Sequence, residues 1–258
     1  MSALTPLAEF GGENAAMIAR SIRHASRDVE TLLMSVILPV LLMLMFVYVF
    51  GGAIETGSAY VNYVVPGILL LAAGFGSATT AVSVCSDMVS GVVDRFRAMP
   101  ISGRAMLTGH VMASLARNLV STAVVIGVGY AVGWRPVAGA LGWLGALALV
   151  ALFILAISWL SAALGLVAGS PESANAFTFV ILFLPYLSSA FVPTSTMPAF
   201  LRGFAEHQPV TPVIETLRGL LMGTPIGDSG ASAVAWCLVV LVASWGASAV
   251  LFRRRTTR

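Results

Sequence analysis

Long apolar runs dominate the chain and are separated by short polar segments. Six stretches contain no Asp, Glu, Lys or Arg, and five of them exceed the roughly 20 residues that a helix needs to cross a bilayer. We therefore predict an all-α membrane protein in which residues 1–258 form a single transmembrane domain. Its six transmembrane helices are predicted at 32–50, 60–85, 106–133, 140–168, 174–192 and 232–252.

Residues 14–30, before the first predicted span, have the pattern of a helix with two different faces. Apolar residues recur at helical spacing along one side, at Ile18, Ile22, Ala25 and Val29. The arginines lie on the opposite side, at Arg20, Arg23 and Arg27. A basic amphipathic helix of this kind is suited to lie in the plane of the membrane interface. The alternative is an ordinary solvated connector.

Residues 86–103, SDMVSGVVDRFRAMPISG, have the pattern of a second amphipathic helix, a short one that stops at Pro100. Its apolar face carries Met88, Val92, Phe96 and Met99. Its polar face carries Asp87, Ser90, Asp94 and Arg97. The pattern favours a helix held at the membrane surface, although a solvated loop with an accidental stripe is the alternative.

The segment 193–231, before the last span, is too long for a simple turn. It contains five prolines with short apolar runs between them, at Pro193, Pro198, Pro209, Pro212 and Pro225. Apolar runs of about 10 residues are too short to span a bilayer. We therefore predict short external helices that re-enter the membrane partway.

The distribution of arginine predicts the orientation of the spans. With the N-terminus in the cytoplasm, the inner segments hold 10 arginines and the outer segments hold 3, leaving out Arg117 within the third span. Because Lys and Arg accumulate in cytoplasmic loops, both termini are predicted to be cytoplasmic in the inner (cytoplasmic) membrane. The 86–103 segment is then cytoplasmic and the 193–231 segment is external.

Composition excludes several classes of protein and site. Hydrophobic residues make up 58% of the chain and charged residues 10%, which excludes a soluble enzyme, a disordered protein and a secreted disulfide scaffold. All 14 cationic residues are arginine, so a Walker A phosphate loop, which needs a lysine, is absent. Cys85 and Cys237 lie in apolar runs and indicate neither a disulfide nor a metal site. We expect structural roles for His110 and Arg117, and no catalytic residue.

The segment GVVDRFRAMPISG resembles the cytoplasmic signature of type-2 ABC exporter permeases, in particular the drug-resistance branch typified by daunorubicin exporters. The positions that carry the resemblance are Asp87, Gly91, Asp94, Arg95, Phe96, Arg97 and Pro100. Two further segments, VVPGILL at 64–70 and the stretch 184–223, resemble the second span and the external region of that family. The order and spacing of these segments extend the resemblance over nearly the whole chain.

This resemblance implies a transport subunit that works as a dimer, with an identical or a related permease, and docks on a separate ABC ATPase. The seven positions of the cytoplasmic signature would couple it to that ATPase, and the interfacial helix would contact the same partner. ATP and Mg would be bound by the ATPase, so this chain needs no cofactor of its own. The other partners are membrane lipids, and no nucleic acid is expected.

The cargo is inferred from the chemistry of the spans. Aromatic and Met side chains with few fixed charges favour an amphipathic or lipophilic compound, such as a drug, an antibiotic or a lipid-like molecule. The residues expected at the substrate path and outer gate are Phe46, Tyr63, Phe183, Tyr186, Phe191, Glu215 and Arg218. The alternative for each aromatic residue is contact with lipid. Alternatives for the whole protein are a polysaccharide or glycolipid exporter, an ion-driven secondary transporter and an intramembrane lipid transferase.

Overall fold

The computed structural model describes residues 29–54, 56, 59–90 and 103–256, which form α-helices and turns without a strand. The α-helices are α1 (Val29–Met45), α2 (Tyr60–Val89), α3 (Gly103–Ala131), α4 (Ala140–Val167), α5 (Pro171–Phe183), α6 (Ala199–His207), α7 (Val210–Met222) and α8 (Ser229–Thr256). The predicted interfacial helix at 14–30 lies almost wholly outside the described residues, since only its last two positions fall within α1. The all-α class is confirmed for the part of the chain that is described.

Among the described residues, four helices are long and apolar enough to cross a membrane: α2, α3, α4 and α8, with 27 to 30 residues in their apolar parts. At 1.5 Å per residue each of them exceeds the roughly 30 Å of a bilayer core. They correspond to the second, third, fourth and sixth predicted spans. The count of six is not confirmed, because the helices at the first and fifth positions are shorter.

The prediction of one helix over 174–192 is wrong in its second half. Helix α5 has only 13 residues, and a 3₁₀ turn at Leu184–Leu187 follows it. Pro185 has no backbone N–H and so cannot continue the hydrogen-bond ladder of an α-helix. Where the first span is predicted, the 17 residues of α1 continue directly into a five-residue π-helical turn, Phe46–Phe50.

Helix α2 lies at the centre of the bundle and packs against α1, α3, α4, α5 and α7. Every residue from Val64 to Ala73 is buried, as expected for a helix that is apolar on all sides. By contrast, α4 and α8 expose large apolar side chains, including Leu141 at 85% and Val242 at 63%. Such surfaces are suited to lipid rather than water.

Small residues bring α2 and α4 unusually close together. A Cβ atom placed on Gly165 of α4 would lie 2.4 Å from the backbone oxygen of Ala81 in α2. A side chain of any size would therefore push the two helices apart. Glycine at such positions is how membrane helices pack closely in the absence of a hydrophobic driving force.

A buried polar cluster joins α2, α3 and α4 within the bundle, and the sequence analysis did not identify it. The hydroxyl groups of Ser114 and Ser158 are 2.9 Å apart, and Ser158 donates to Ser77 at 3.2 Å. Asn118 donates to Ser77 and to the Ser114 hydroxyl and carbonyl. Gly76 leaves room for Asn118, since a Cβ there would meet the amide oxygen at 1.9 Å. The cluster fixes the register of three long helices.

Arg117 lies next to this cluster on α3, and its Nη2 donates to the Thr79 hydroxyl on α2 at 3.0 Å. The charge is thus turned towards another helix, as a charge within a span is expected to be. The contact is consistent with the structural role that the sequence analysis expects.

Two short helices, α6 and α7, occupy most of the predicted external segment 193–231. They are separated at Gln208 and Pro209, and α7 is followed directly by Gly223, whose φ of 72° is readily adopted by glycine. The prediction of short helices between prolines is confirmed. Their re-entry into the membrane stays a prediction.

Candidate functional site

The seven residues predicted at the substrate path and outer gate form two neighbouring clusters at one end of the bundle. The first contains Phe46, Phe183, Tyr186 and Phe191. The second contains Tyr63, Glu215 and Arg218. Tyr60 connects the two, because its ring stacks on Tyr63 at 6.3 Å between centroids and its hydroxyl donates to the Phe191 carbonyl oxygen at 2.8 Å. This end of the molecule is called the Arg218 end below.

The first cluster is a row of four aromatic rings. Phe191 stacks on Phe46 at a centroid distance of 4.1 Å and on Tyr186 at 5.4 Å, each with an interplanar angle of 22°. Tyr186 in turn contacts Phe183 at 6.1 Å. Phe191 is only 6% exposed whereas Phe183 is 57% exposed, so the part of the row from Phe191 through Tyr186 to Phe183 leads from the core to the surface. A row of this kind offers flat apolar faces to a flat apolar ligand.

The second cluster is built around the guanidinium group of Arg218, which is 6% exposed. Nη1 donates to Glu215 Oε1 at 2.9 Å, and Nη2 donates to the Ser189 carbonyl oxygen at 2.8 Å. Nη2 and Nε also donate to the Tyr63 carbonyl oxygen, at 3.2 and 3.4 Å. The guanidinium carbon lies 3.8 Å from the centroid of the Tyr63 ring, a cation–π contact. A buried charge needs such partners to offset its desolvation.

The local sequence explains this arrangement. Glu215 and Arg218 are three residues apart on α7, so their side chains lie on the same helix face. Pro66, three residues after Tyr63 in α2, has no N–H, which interrupts the regular hydrogen bonding of that part of the helix. The carbonyl that loses its helical partner is that of Asn62, four residues before Pro66, and the acceptor of the Arg218 bonds is the next carbonyl, that of Tyr63.

Three residues that hold the Arg218 end together, Tyr60, Gln208 and Ser189, are not among the site residues predicted from the sequence. Gln208 is buried, and its amide nitrogen donates to the carbonyl oxygens of Leu184 and Leu187 at 3.2 and 3.4 Å. It thereby joins the turn after α5 to the junction of α6 and α7. Ser189 contributes only its backbone carbonyl oxygen, which accepts a hydrogen bond from Arg218. No sequence signal marks a backbone acceptor, and a single Gln before a proline is equally typical of a solvated turn.

At the opposite end, Asp87 of α2 and His110 of α3 form a pair with 2.9 Å between Oδ2 and Nε2. The structural hydrogen bond expected for His110 is thus present, with Asp87 as its partner. Nearby, Arg255 of α8 donates to the Ala168 carbonyl at the end of α4 at 2.5 Å. The remaining predicted coupling and interfacial residues lie outside the described part: Gly91, Asp94, Arg95, Phe96, Arg97, Pro100, Arg20, Arg23 and Arg27.

The described residues hold no group of three or more His, Cys, Asp or Glu side chains suited to a metal ion. Cys85 and Cys237 are buried free thiols. The chemistry available at the Arg218 end is therefore stacking, apolar contact and hydrogen bonding around one neutralised cation.

The family model described as "ABC-2 type transporter" matches residues 13–222, which is most of the chain. This chain belongs to the ABC-2 type transporter family. The resemblance to type-2 ABC permeases noted in the sequence is thus confirmed. Membership, together with the four long apolar helices, makes the chain a multi-pass integral membrane protein.

The curated ABC-2 relatives are drug-resistance permeases. The chain is 32% identical to the daunorubicin resistance ABC transporter permease protein DrrB1 of Streptomyces coeruleorubidus over 191 residues, covering 73% of this chain and 68% of that protein. It is 25% identical to the probable doxorubicin resistance ABC transporter permease protein DrrC of Mycobacterium tuberculosis over 265 residues, covering 98% and 96%. The expected similarity to the drug-resistance branch is confirmed. These relatives are membrane subunits of transporters.

Proposed function

We propose that this chain is the membrane-spanning subunit of an ATP-driven exporter that moves an amphipathic or lipophilic compound out of the cytoplasm. The observation that carries the proposal is the aromatic row at the Arg218 end, in a chain that belongs to the ABC-2 family. Three of its rings, Phe191, Tyr186 and Phe183, lead from the buried Phe191 to the exposed Phe183, and the fourth, Phe46, stacks on Phe191. Their flat apolar faces favour a flat, amphipathic cargo, and the names of the relatives support a drug.

The proposed topology has six crossings with both termini on the cytoplasmic side of the inner membrane. Helix α1 and its π-helical turn together have a length on the order of 30 Å, enough to cross. Helix α5 and its 3₁₀ turn reach about 27 Å, so the fifth crossing is completed by the residues after Leu187. The Arg218 end then faces outward and the Asp87 end faces the cytoplasm.

The proposed partners are an ABC ATPase at the Asp87 end and a second permease, identical or related, in the membrane. Asp87 and the six signature residues from Gly91 to Pro100 would form the contact with the ATPase, together with the interfacial arginines. ATP and Mg would be bound by the ATPase. This chain has no proposed catalytic step, metal or cofactor of its own.

An ion-driven mechanism is less well supported. Such transporters use acidic side chains near the middle of the membrane. In the four long helices described here, the only carboxylate is that of Asp87, two residues before the end of α2. A glycolipid remains the alternative cargo, and the transport assay distinguishes it from a drug.

The experiment is to reconstitute the chain with its ATPase in liposomes and to measure ATP-dependent transport of a fluorescent, flat amphipathic compound. We expect transport that needs ATP and survives dissipation of ion gradients. Phe191→Ala removes the central ring and should reduce transport about tenfold, since aromatic pairs contribute about 0.5–1.5 kcal/mol beyond their burial.

The matched control is Phe200→Ala, which removes a ring that is 79% exposed on α6 and lies outside the row. This variant should transport like the wild type. The proposal fails if transport is driven by an ion gradient without ATP. Transport of a fluorescent glycolipid but not of the drug-like probe would instead support the alternative cargo.

A further inference from the structure

Residues 188–191, called the gate turn here, form a non-helical segment that is buried in the bundle. Ser188, Ser189, Ala190 and Phe191 are each exposed by 6% or less. Irregular backbone is normally found at the surface, because its N–H and C=O groups need partners that helices and strands would otherwise supply. The partners of the gate turn therefore show what holds it in place.

Side chains from two other helices supply these partners. Arg218 of α7 donates to the Ser189 carbonyl oxygen at 2.8 Å, and Tyr60 of α2 donates to the Phe191 carbonyl oxygen at 2.8 Å. Within the turn, the Ala190 N–H donates to the Ser188 hydroxyl at 3.2 Å. The turn is thus fastened by two long-range bonds rather than by a ladder of backbone bonds.

Below these bonds the gate turn rests on a glycine. A Cβ atom placed on Gly67 of α2 would lie 2.7 Å from the Ala190 Cβ and 2.9 Å from the Ala190 carbonyl oxygen. The contact between Gly67 and Ala190 is therefore close and involves no large side chain. At Ala190 the turn can therefore separate from α2 without displacing a large side chain, and the side chain that must leave a buried site is that of Phe191.

The charge on Arg218 does not oppose such a separation. Its ionic partner, Glu215, lies on the same helix and is 38% exposed, so the ion pair remains intact if α7 and the turn move apart. Of the bonds that Arg218 makes, only the one to the neutral carbonyl oxygen of Ser189 has to break, because Tyr63 lies on α2 and not in the turn. The cation would not be left buried and unpaired, which is the costly outcome.

From these contacts we infer that the gate turn is the moving part of the outer gate and that Arg218 is the latch that keeps it closed on α2. The inference rests on the proposed function, since a gate has meaning only in a transporter. Opening would release Ser189 from Arg218 and Phe191 from Tyr60. It would also separate Phe191, the buried ring of the aromatic row, from Phe46.

The test is the accessibility of residue 189 from outside the membrane. In a Cys85→Ala, Cys237→Ala background, Ser189→Cys is a nearly isosteric change, and the Ser189 hydroxyl has no hydrogen bond within the described structure. We expect slow reaction of this cysteine with a membrane-impermeant maleimide at rest. ATP turnover should accelerate the reaction. Adding Arg218→Gln should accelerate it about tenfold without ATP, as expected for loss of a charge-assisted hydrogen bond.

The matched control is Arg202→Gln. Arg202 lies in the same external region, is paired with Glu206 at 3.8 Å and donates to the carbonyl oxygens of Thr194 and Ser195, outside the gate turn. It should leave the labelling rate of residue 189 unchanged. A cysteine at the exposed Ser195 should react at the same rate in the parent and in the Arg218→Gln variant, which reports on folding and on access of the reagent.

Tyr60→Phe provides a second test should Arg218→Gln not fold. It removes the hydrogen bond from Tyr60 to the Phe191 carbonyl oxygen while keeping the ring. We expect it to accelerate the labelling of residue 189 by less than Arg218→Gln does. The latch is refuted if labelling of residue 189 is the same in the folded variants as in the parent. If the parent protein shows no ATP-dependent transport, the proposed function is refuted. The labelling rates measured without ATP would still show whether Arg218 and Tyr60 hold the gate turn in place.

Discussion

Replacing Gly165 by alanine tests whether the close approach of α2 and α4 has the energetic importance that its geometry indicates. The added Cβ would lie 2.4 Å from the Ala81 carbonyl oxygen and 3.1 Å from its backbone carbons. An ordinary contact is about 3.4 Å or longer, and a backbone atom cannot move aside as the end of a side chain can. The helices must separate, and overpacking of this kind costs about 1–3 kcal/mol.

The effect of alanine on helix propensity has the opposite sign and must be separated from the clash. Alanine in place of glycine within a helix stabilises it by about 1 kcal/mol. Gly127→Ala in α3 is the matched control, because a Cβ there meets nothing within 4 Å. Both variants gain the propensity term, so the difference between their unfolding free energies isolates the clash.

The assay is thermal unfolding of the purified protein in detergent or nanodiscs. For a chain of this size, about 2–4 °C in Tm corresponds to each kcal/mol. We expect Gly127→Ala to equal or exceed the wild type and Gly165→Ala to melt about 2–12 °C below Gly127→Ala. Equal melting temperatures for the two variants would refute the close packing of α2 and α4.

Two further predictions concern the polar contacts. Ser158→Ala breaks the bonds to Ser114 and Ser77 and should lower the free energy of unfolding by about 1 kcal/mol. The control is Ser248→Ala, which removes an equally buried hydroxyl that has no hydrogen bond in the described structure and should leave the free energy of unfolding unchanged. Thermal melting of the two variants compares them. Asp87→Ala removes the partner of His110 at the proposed cytoplasmic end. In liposomes this variant should transport fewer molecules per ATP hydrolysed. An unchanged ratio of transport to ATP hydrolysis would count against a role of this pair in docking the ATPase.

The hydrophobic pattern was enough to predict the class of the protein and most of its long helices. Apolar runs longer than a bilayer is thick have no stable place in water, so α2, α4 and α8 are found close to where the runs predict them. The fifth helix was misjudged because its run, 173–201, stays apolar through Pro185. Hydropathy registers the apolar character of a proline but not the N–H that it lacks.

At the Arg218 end, the sequence indicated the right residue types and grouped the right segments. It could not indicate that Arg218 lies over the Tyr63 ring, or that four rings from α5 and from the turns after α1 and α5 lie in one row. These contacts join residues up to 155 positions apart, and only the packing of the helices decides which of their faces meet.

The amino-acid sequence by itself determined that this chain resides in a membrane, that it forms helices there and that it belongs with the type-2 ABC permeases. All three follow from local composition and short motifs. The tertiary structure alone decided which polar groups pair inside the bundle: the serine and asparagine cluster, the Asp87–His110 pair and the fastening of the gate turn. Each depends on angles and separations between helices, which are set by glycine contacts and side-chain shape rather than by the order of residues along any one helix.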